Sequence, residues 1–198
     1  MSAKTEAKRA ALRDSLVDAA EGLIAQNGLR GLKARDITAR AGCALGALYN
    51  AVDGLDQLIV LVNSRTLTRL GEKALAEVPA DGTGADKMRA LGRVYAAFAV
   101  ENPYLWSAVF THRLPEGQSS PDWHRAEFMG LIEQVAAPLA DLRPDLDGAT
   151  LRLRAQTLFA AVHGVVQLSI HGFEVGAPRD VLFSEVDALV GAMMRGIR

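Results

Sequence analysis

Apolar residues recur at intervals of three and four positions in almost every segment of this chain, and no long stretch alternates apolar with polar residues. Intervals of three and four are the period of an α-helix with one buried face, whereas strict alternation is the period of a half-buried strand. The first helical segment shows the pattern in its apolar stripe of Leu16, Ala19, Ala20, Leu23 and Ile24. The sequence therefore predicts an all-α fold.

Helix boundaries follow from glycine, proline and the small polar residues that cap helix N-termini. Asn27-Gly28 should end the first helix, Asp53 should cap the fourth, and Asn102-Pro103 should begin the sixth. Pro138 lies inside the seventh helical segment, where it should kink or end the helix near Val135. We predict about nine helices, over residues 4–27, 33–41, 45–51, 55–76, 84–101, 103–113, 121–141, 149–172 and 179–196.

The composition excludes several classes of protein. The chain has 198 residues, 49% of them hydrophobic and 23% charged, which is typical of a globular protein and not of a disordered one. Its single cysteine, Cys43, cannot form an internal disulfide, and its four histidines lack the spacing of a metal site. The charged N-terminus differs from a signal peptide, and no run approaches about 18 uninterrupted apolar residues. We therefore expect a cytoplasmic protein with no membrane partner, no cofactor and no bound metal.

Charge is distributed unevenly along the chain, although the net charge is only −1. Residues 1–50 hold 8 Lys and Arg against 5 Asp and Glu, whereas residues 51–198 hold 14 against 18. A basic N-terminal segment on an acidic remainder indicates that a polyanionic partner would meet the N-terminal segment. An excess of this size is also compatible with chance variation.

Residues 28–52 combine two short helical segments with a glycine turn. Gly42-Cys43-Ala44 joins the two segments, and Ile37, Ala41 and Leu48 can lock the pair over the first helix. This is the geometry of a helix-turn-helix, whose second helix fits the major groove of DNA. Helical pairs with a glycine turn also occur in proteins that do not bind DNA, so geometry alone leaves both interpretations open.

A set of short motifs at fixed spacing resembles one known family. The motifs lie within residues 10–62 and are Ala19-Ala20, Gly28, Arg35-Asp36-Ile37, Ala41-Gly42, Gly46-Ala47-Leu48-Tyr49 and Leu58. They are similar to the N-terminal pattern of the TetR (tetracycline repressor-like) transcriptional regulators. The resemblance implies a three-helix DNA-binding head over residues 1–54. It also implies a helical body over residues 55–198, which begins with a connecting fourth helix and provides ligand binding and dimerisation.

The same resemblance implies which residues contact operator DNA. Lys33, Arg35 and Tyr49 would bind phosphates, whereas the first turn of the recognition helix and Asn50 would face bases. The family usually has Ser or Thr at the position of Ala44, and loss of such a cap costs about 0.5–2 kcal/mol. Its usual phosphate-binding lysine is replaced by Leu55 here, and Arg40 is expected to be a solvated surface charge. The candidate DNA contacts are Lys33, Arg35, Ala44, Leu45, Gly46, Tyr49 and Asn50.

The body resembles one branch of the family more loosely, through Phe98-Ala99-x-Glu101-Asn102-Pro103-Tyr104-Leu105 and Ala161-Val162-His163-Gly164. Aromatic residues at helical spacing, with one histidine and one glutamine, would form an apolar pocket with few polar groups, which is typical of a small-molecule site. Such stripes are equally typical of a plain hydrophobic core. Gly164 costs about 1 kcal/mol relative to alanine, which indicates close approach by a ligand or a partner helix. The candidate ligand-binding residues are Tyr95, Phe98, Trp106, Phe110, Phe159, His163 and Gln167.

The last two helices are the expected homodimer interface. They carry more apolar surface than one small core needs, and such a surface is typically covered by a second copy of the chain. The apolar residues concerned are Leu151, Leu158, Val162, Val165, Val181, Leu182, Val186, Leu189 and Met193.

The sequence thus favours a ligand-responsive, homodimeric transcriptional regulator, a repressor that a small apolar effector releases from double-stranded operator DNA. One alternative is a helical ligand-binding or scaffolding protein without DNA binding, motivated by Ala44 and Leu55. Another is a helical enzyme that uses His163. The sequence has no G-x-S-x-G, glycine-rich phosphate loop or HExxH motif. We therefore expect no enzyme activity and assign no catalytic residue.

Overall fold

The computed structural model describes residues 3–196, and within them the chain forms nine helices and no strand. The predicted all-α fold is therefore confirmed. The helices are α1 Ala3–Asn27, α2 Ala34–Arg40, α3 Leu45–Ala51, α4 Gly54–Glu77, α5 Gly84–Glu101, α6 Pro103–Thr111, α7 Asp122–Leu142, α8 Gly148–Ile170 and α9 Leu182–Gly196.

The observed helix ends lie within three residues of the predicted ones. The largest difference is at α9, which begins at Leu182 and not at residue 179. A turn precedes it, closed by a 3.1 Å hydrogen bond from the Val181 N–H to the Pro178 carbonyl oxygen. The helix therefore starts only after the turn that this proline opens.

Pro138 does not end α7 near Val135, contrary to the prediction, because the helix continues to Leu142. Proline removes one backbone donor and crowds the preceding turn. The turn is nevertheless held by its surroundings, since Leu139 is fully buried. Gly84, at the start of α5, comes so close that a Cβ there would lie 2.6 Å from the Pro138 carbonyl oxygen. Tertiary packing outweighs the local cost of the proline.

Two helix caps come from residues that the sequence pattern did not single out. Asp147 Oδ1 accepts hydrogen bonds from the Thr150 and Ala149 N–H groups, both at 2.9 Å, at the start of α8. These bonds, with Thr150 contributing most, hold the pKa of Asp147 below its usual range. At the start of α5, the Thr83 hydroxyl oxygen accepts from the Asp86 N–H while Asp86 Oδ2 accepts from the Thr83 N–H, each at 3.2 Å. This is the reciprocal pattern of a capping box.

The chain divides into two compact units, and the first comprises the residues up to Thr66 together with Asn102–His124. In this unit α1 packs against α2, α3 and α6. The shared core includes Leu16, Ala20, Ile24, Ile37, Leu48, Leu58, Val62, Leu105 and Ala108.

The second unit comprises Leu67–Glu101 and the residues from Arg125 onward. Here α5 packs against both α8 and α9, and α8 packs against α9. Gly92 allows α5 and α9 to approach closely, because a Cβ there would lie 3.1 Å from Val190 and 3.2 Å from Val186. Arg93 joins the same two helices, since its Nε lies 2.7 Å from each carboxylate oxygen of Asp187.

Among residues 3–196, no single helix is both long and apolar enough to cross a membrane. Only α3 and α4 taken together, with a bend of 65° between them, match a span, and they do so in length and composition alone.

Candidate functional site

A four-residue turn joins α2 to α3 and makes the helix-turn-helix. Gly42 has a φ of +69°, in the left-handed region that glycine adopts without strain. The Cys43 N–H donates to the Thr38 carbonyl oxygen at 3.0 Å, which closes the turn. Ile37 on α2 and Leu48 on α3 are fully buried. One apolar contact from each short helix therefore fixes the pair in the core of the first unit.

The remaining face of α2 and α3 points to solvent. Leu45 and Tyr49 on α3 are 38% and 60% exposed, respectively. The other predicted DNA contacts are exposed as well, so the structure brings the whole set together on the surface of two adjacent helices. The exposed candidates are Lys33, Arg35, Ala44, Leu45, Gly46, Tyr49 and Asn50.

Ala44 occupies the N-cap position of α3 with an extended backbone conformation, φ −71° and ψ 151°. It makes no side-chain capping bond there. A Ser or Thr hydroxyl at this position would accept a hydrogen bond from an N–H group in the first turn. The start of the recognition helix is therefore capped less well than in a protein with Ser or Thr there.

Arg40, at the end of α2, lies against α1. Its guanidinium is so close to the backbone of Gly22 that a Cβ on that glycine would approach Arg40 Nη2 to 2.6 Å. The side chain therefore covers a helix of its own unit, in agreement with its exclusion from the candidate DNA contacts.

The second unit encloses a cavity of about 70 Å³ between five helices. Its lining is almost wholly apolar, and the two polar side chains among the lining residues that the structure describes are Tyr95 and Gln134. The lining residues are Leu70, Ala74, Met88, Leu91, Gly92, Val94, Tyr95, Leu131, Gln134, Val135, Leu158, Phe159, Val162, Val190, Met193 and Met194.

Tyr95 links this cavity to His163 on α8. The Tyr95 hydroxyl oxygen lies 2.6 Å from His163 Nδ1. Phe159 stacks on the imidazole, with ring centres 5.8 Å apart and planes 23° apart. It meets the Tyr95 ring edge-on, with centres 5.3 Å apart. Burial lowers the pKa of His163 below its ordinary value, so the imidazole is held neutral.

The structure places the other predicted ligand-binding residues away from the cavity wall. Phe98 is buried on α5 but is not a lining residue. Trp106 and Phe110 lie on α6, in the first unit, where their ring centres are 5.4 Å apart. Gln167 has a buried side-chain oxygen without a hydrogen-bond partner and does not line the cavity either.

Sequence reasoning missed the contributions of α4, α7 and α9 to the cavity. Leu70, Gln134 and Met193 represent these three helices in the lining. Each lies on an apolar face at ordinary helical spacing, so no local signal distinguishes it from any other core position. Their role depends on which helices pack around the same space.

Comparison with known proteins is consistent with this architecture. The family model for the tetracyclin repressor-like C-terminal domain matches residues 88–193. The chain is 28% identical over 182 residues to Rv0681 of Mycobacterium tuberculosis, an uncharacterized HTH-type transcriptional regulator, covering 92% of this chain and 81% of that protein.

Two solved structures share the fold. RolR, solved in complex with resorcinol, matches with a TM-score of 0.70 and 19% identity over 96% of this chain and 89% of its own. The transcriptional regulator FadR from Bacillus subtilis, solved with stearoyl-CoA, matches with a TM-score of 0.68 and 16% identity over 93% of this chain and 98% of its own. With its helix-turn-helix, its nine described helices and a family match over residues 88–193, this chain belongs to the tetracycline repressor-like (TetR) family of transcriptional regulators.

Proposed function

We propose that this protein is a homodimeric repressor that leaves double-stranded operator DNA when a small apolar effector enters the cavity. One observation carries the DNA-binding part. Helices α2 and α3 bury Ile37 and Leu48 while they expose every candidate DNA contact. In this proposal residues 1–54 form the DNA-binding domain, and residues 55–198 form the ligand-binding and dimerisation domain.

The chemistry of the exposed face suggests a division of labour on DNA. Lys33 and Arg35 flank the start of α2 and would neutralise phosphates, while the Tyr49 hydroxyl would donate to another phosphate. Asn50 carries the one amide on α3 that could form paired hydrogen bonds with an adenine edge. Ala44 and Leu45 would contribute apolar contacts to thymine methyl groups. Hydrogen-bonded base recognition on this helix would therefore be sparse.

The lining of the cavity supports an apolar effector. Two polar side chains in an otherwise apolar wall are the usual composition of a small-molecule site. The solved relatives show that this fold accommodates ligands as different as resorcinol and stearoyl-CoA. We propose that Tyr95 and Phe159 contact the effector directly and that His163 acts through Tyr95. Phe98, Trp106, Phe110 and Gln167 lie outside the cavity wall and have no direct role in this proposal.

We propose that α8 and α9 form the dimer interface through the apolar residues they leave accessible. Part of the surface expected from sequence belongs to the core of the chain itself, because Leu158, Val162, Leu182 and Val186 are buried. Val165, Leu168, Val181 and Leu189 instead line a shallow groove on these helices. These four residues are the side chains that a second copy would cover.

We further propose that the protein acts in the cytoplasm and has no enzyme activity, cofactor or bound metal. Membership of a family of transcriptional regulators and the similarity to an HTH-type regulator support this part of the proposal.

A footprint across the DNA upstream of this gene and its neighbours tests the proposed function. A dimeric regulator should protect a pseudo-palindromic site whose half-sites lie about 34–36 Å apart, or a multiple of that distance. Sedimentation should show a dimer at micromolar concentration. If no site is protected at low salt while the cavity binds small molecules, the protein is a ligand-binding protein without operator binding. A stable monomer would overturn the proposed interface.

A further inference from the structure

The effector cavity has one polar feature whose hydrogen-bond direction is determined by its neighbours. We propose, on the basis of the function proposed above, that the cavity selects an uncharged molecule with an apolar body and one hydroxyl group. The hydroxyl group of this molecule, a phenol or an alcohol, donates a hydrogen bond to the Tyr95 hydroxyl oxygen. Tyr95 is then the residue that determines effector specificity.

The direction of the Tyr95–His163 hydrogen bond follows from elementary chemistry. A phenol hydroxyl has one proton to donate, and a neutral imidazole has one nitrogen that accepts. The 2.6 Å contact is made by His163 Nδ1, so this nitrogen accepts the Tyr95 proton and Nε2 carries the imidazole hydrogen. Burial holds the imidazole neutral and so maintains this arrangement. Towards the cavity, the Tyr95 oxygen therefore acts as an acceptor and pairs with a ligand that donates.

The aromatic residues around this bond hold Tyr95 in place. The Tyr95 side chain is 7% exposed, and Phe159 meets its ring edge-on while stacking on His163. An acceptor that is already ordered costs little additional conformational entropy when a ligand binds. The hydroxyl oxygen of Tyr95 is thus a fixed recognition point in a wall of otherwise apolar side chains.

The rest of the lining selects against charge. Among the lining residues that the structure describes, no side chain is charged, and Gln134 supplies the other polar group. A carboxylate that entered the cavity would lose its water without gaining a cation in return, which is strongly unfavourable. Met88, Met193 and Met194 also line the cavity, and their flexible thioethers can adapt to apolar bodies of different shape.

Three compounds with the same apolar body test the proposal: para-propylphenol, para-propylanisole and para-propylbenzoate. Calorimetric titration of the full-length protein should show that the phenol binds about 5- to 10-fold more tightly than the anisole, the effect of one hydrogen bond. The benzoate should bind most weakly. Tyr95→Phe should abolish the preference for the phenol over the anisole while leaving affinity for the anisole nearly unchanged.

Two further variants separate recognition from structure. His163→Phe keeps an aromatic ring but frees the Tyr95 proton, so the anisole oxygen can accept it and the preference for the phenol should disappear or reverse. Tyr104→Phe removes the hydroxyl of a half-exposed tyrosine in the first unit and should leave the preference unchanged.

The outcomes distinguish this inference from the function on which it rests. Equal binding of all three compounds, or preferred binding of the benzoate, would overturn the inference while leaving the cavity as an effector site. Absence of binding by every compound in a protein that still protects operator DNA would overturn both the inference and the proposed effector site.

Discussion

His112 Nε2 lies 2.9 Å from Asp56 Oδ1, which joins the residue capping the C-terminus of α6 to the first turn of α4. The His112 side chain is 9% exposed and the Asp56 side chain 44%. The first turn of α4 follows α3 after only two residues. The segment that leaves the recognition helix is therefore bonded to α6, in addition to the packing of α3 on α1.

Substitution of individual surface residues should distinguish DNA contacts from bystanders. Lys33→Ala, Arg35→Ala and Tyr49→Ala should each weaken operator binding. The first two should also reduce the salt dependence, which has a log-log slope of about −0.9 per phosphate contact. Tyr49→Phe, which removes only the hydroxyl, should weaken binding as much as Tyr49→Ala if the phosphate contact dominates.

Arg40→Ala is the matched control for these variants, because the Arg40 side chain lies against Gly22 on α1. Electrophoretic mobility shifts at several salt concentrations measure both affinity and slope. A loss in Arg40→Ala as large as that in Arg35→Ala would contradict the assignment of the exposed face.

A side-chain cap at the start of α3 should improve the protein. Ala44 has the extended backbone conformation of an N-cap but no side-chain oxygen. Ala44→Ser should therefore raise the free energy of unfolding by about 0.5–2 kcal/mol. Urea denaturation measures the change, and Ala47→Ser, inside the same helix, should give no such gain. Lower stability of Ala44→Ser than of Ala47→Ser would show that the first turn of α3 cannot accept a cap.

Sequence reasoning succeeded where function depends on neighbouring positions and was incomplete where it depends on helix packing. The helix-turn-helix is local, because Gly42, Ile37 and Leu48 lie within one short segment and determine its geometry together. The cavity is not local. Trp106 and Phe110 show the same spacing on α6 as many cavity residues on other helices, but α6 packs against α1. Nothing in the spacing of apolar residues specifies the helix against which each face will pack.

Gly164 gives a test of whether an unseen partner approaches α8. The structure has no other atom within 4 Å of a Cβ built on Gly164, so the chain itself does not require a glycine there. In the isolated protomer Gly164→Ala should stabilise α8 by about 1 kcal/mol. Gly92→Ala should destabilise, because its Cβ would meet Val190 at 3.1 Å.

Thermal unfolding and sedimentation of both variants check these expectations. A Gly164→Ala protein that unfolds more readily and sediments as a monomer would show that a partner helix, and not the chain itself, requires the glycine.

Acidification should weaken the fold through His163. Burial lowers its pKa below the ordinary value of about 6.5, so the unfolded chain binds a proton more readily than the folded chain. The contribution to stability is therefore complete above about pH 6.5 and is lost as pH falls towards the folded pKa.

Urea denaturation at about pH 7.5 and pH 5.5, on either side of the ordinary histidine pKa, should show a larger loss in the wild type than in His163→Phe. The variant has a lower stability overall, because the Tyr95 hydroxyl loses its acceptor, but it lacks this titration. Equal losses in the two proteins would mean that His163 is not held neutral by the fold.

The last prediction concerns coupling through α4, an uninterrupted helix from Gly54 to Glu77. Asp56 in its first turn bonds to His112, and Leu70 and Ala74 near its end line the cavity. An effector that changes the packing of Leu70 and Ala74 should therefore alter the position of α3 on DNA. Affinity for operator should fall by a factor of about 5 to 150, and operator should weaken the effector by the same factor. Calorimetric titration of para-propylphenol with and without operator measures the second factor, and mobility shifts with and without the compound measure the first. Asp56→Ala should reduce both factors equally, because it breaks the bond to α6 without touching the cavity, whereas Asp53→Ala, at the neighbouring exposed acid, should leave them unchanged. If every tight-binding compound has the same affinity in the presence and absence of operator, α4 does not transmit the signal and the release mechanism is wrong.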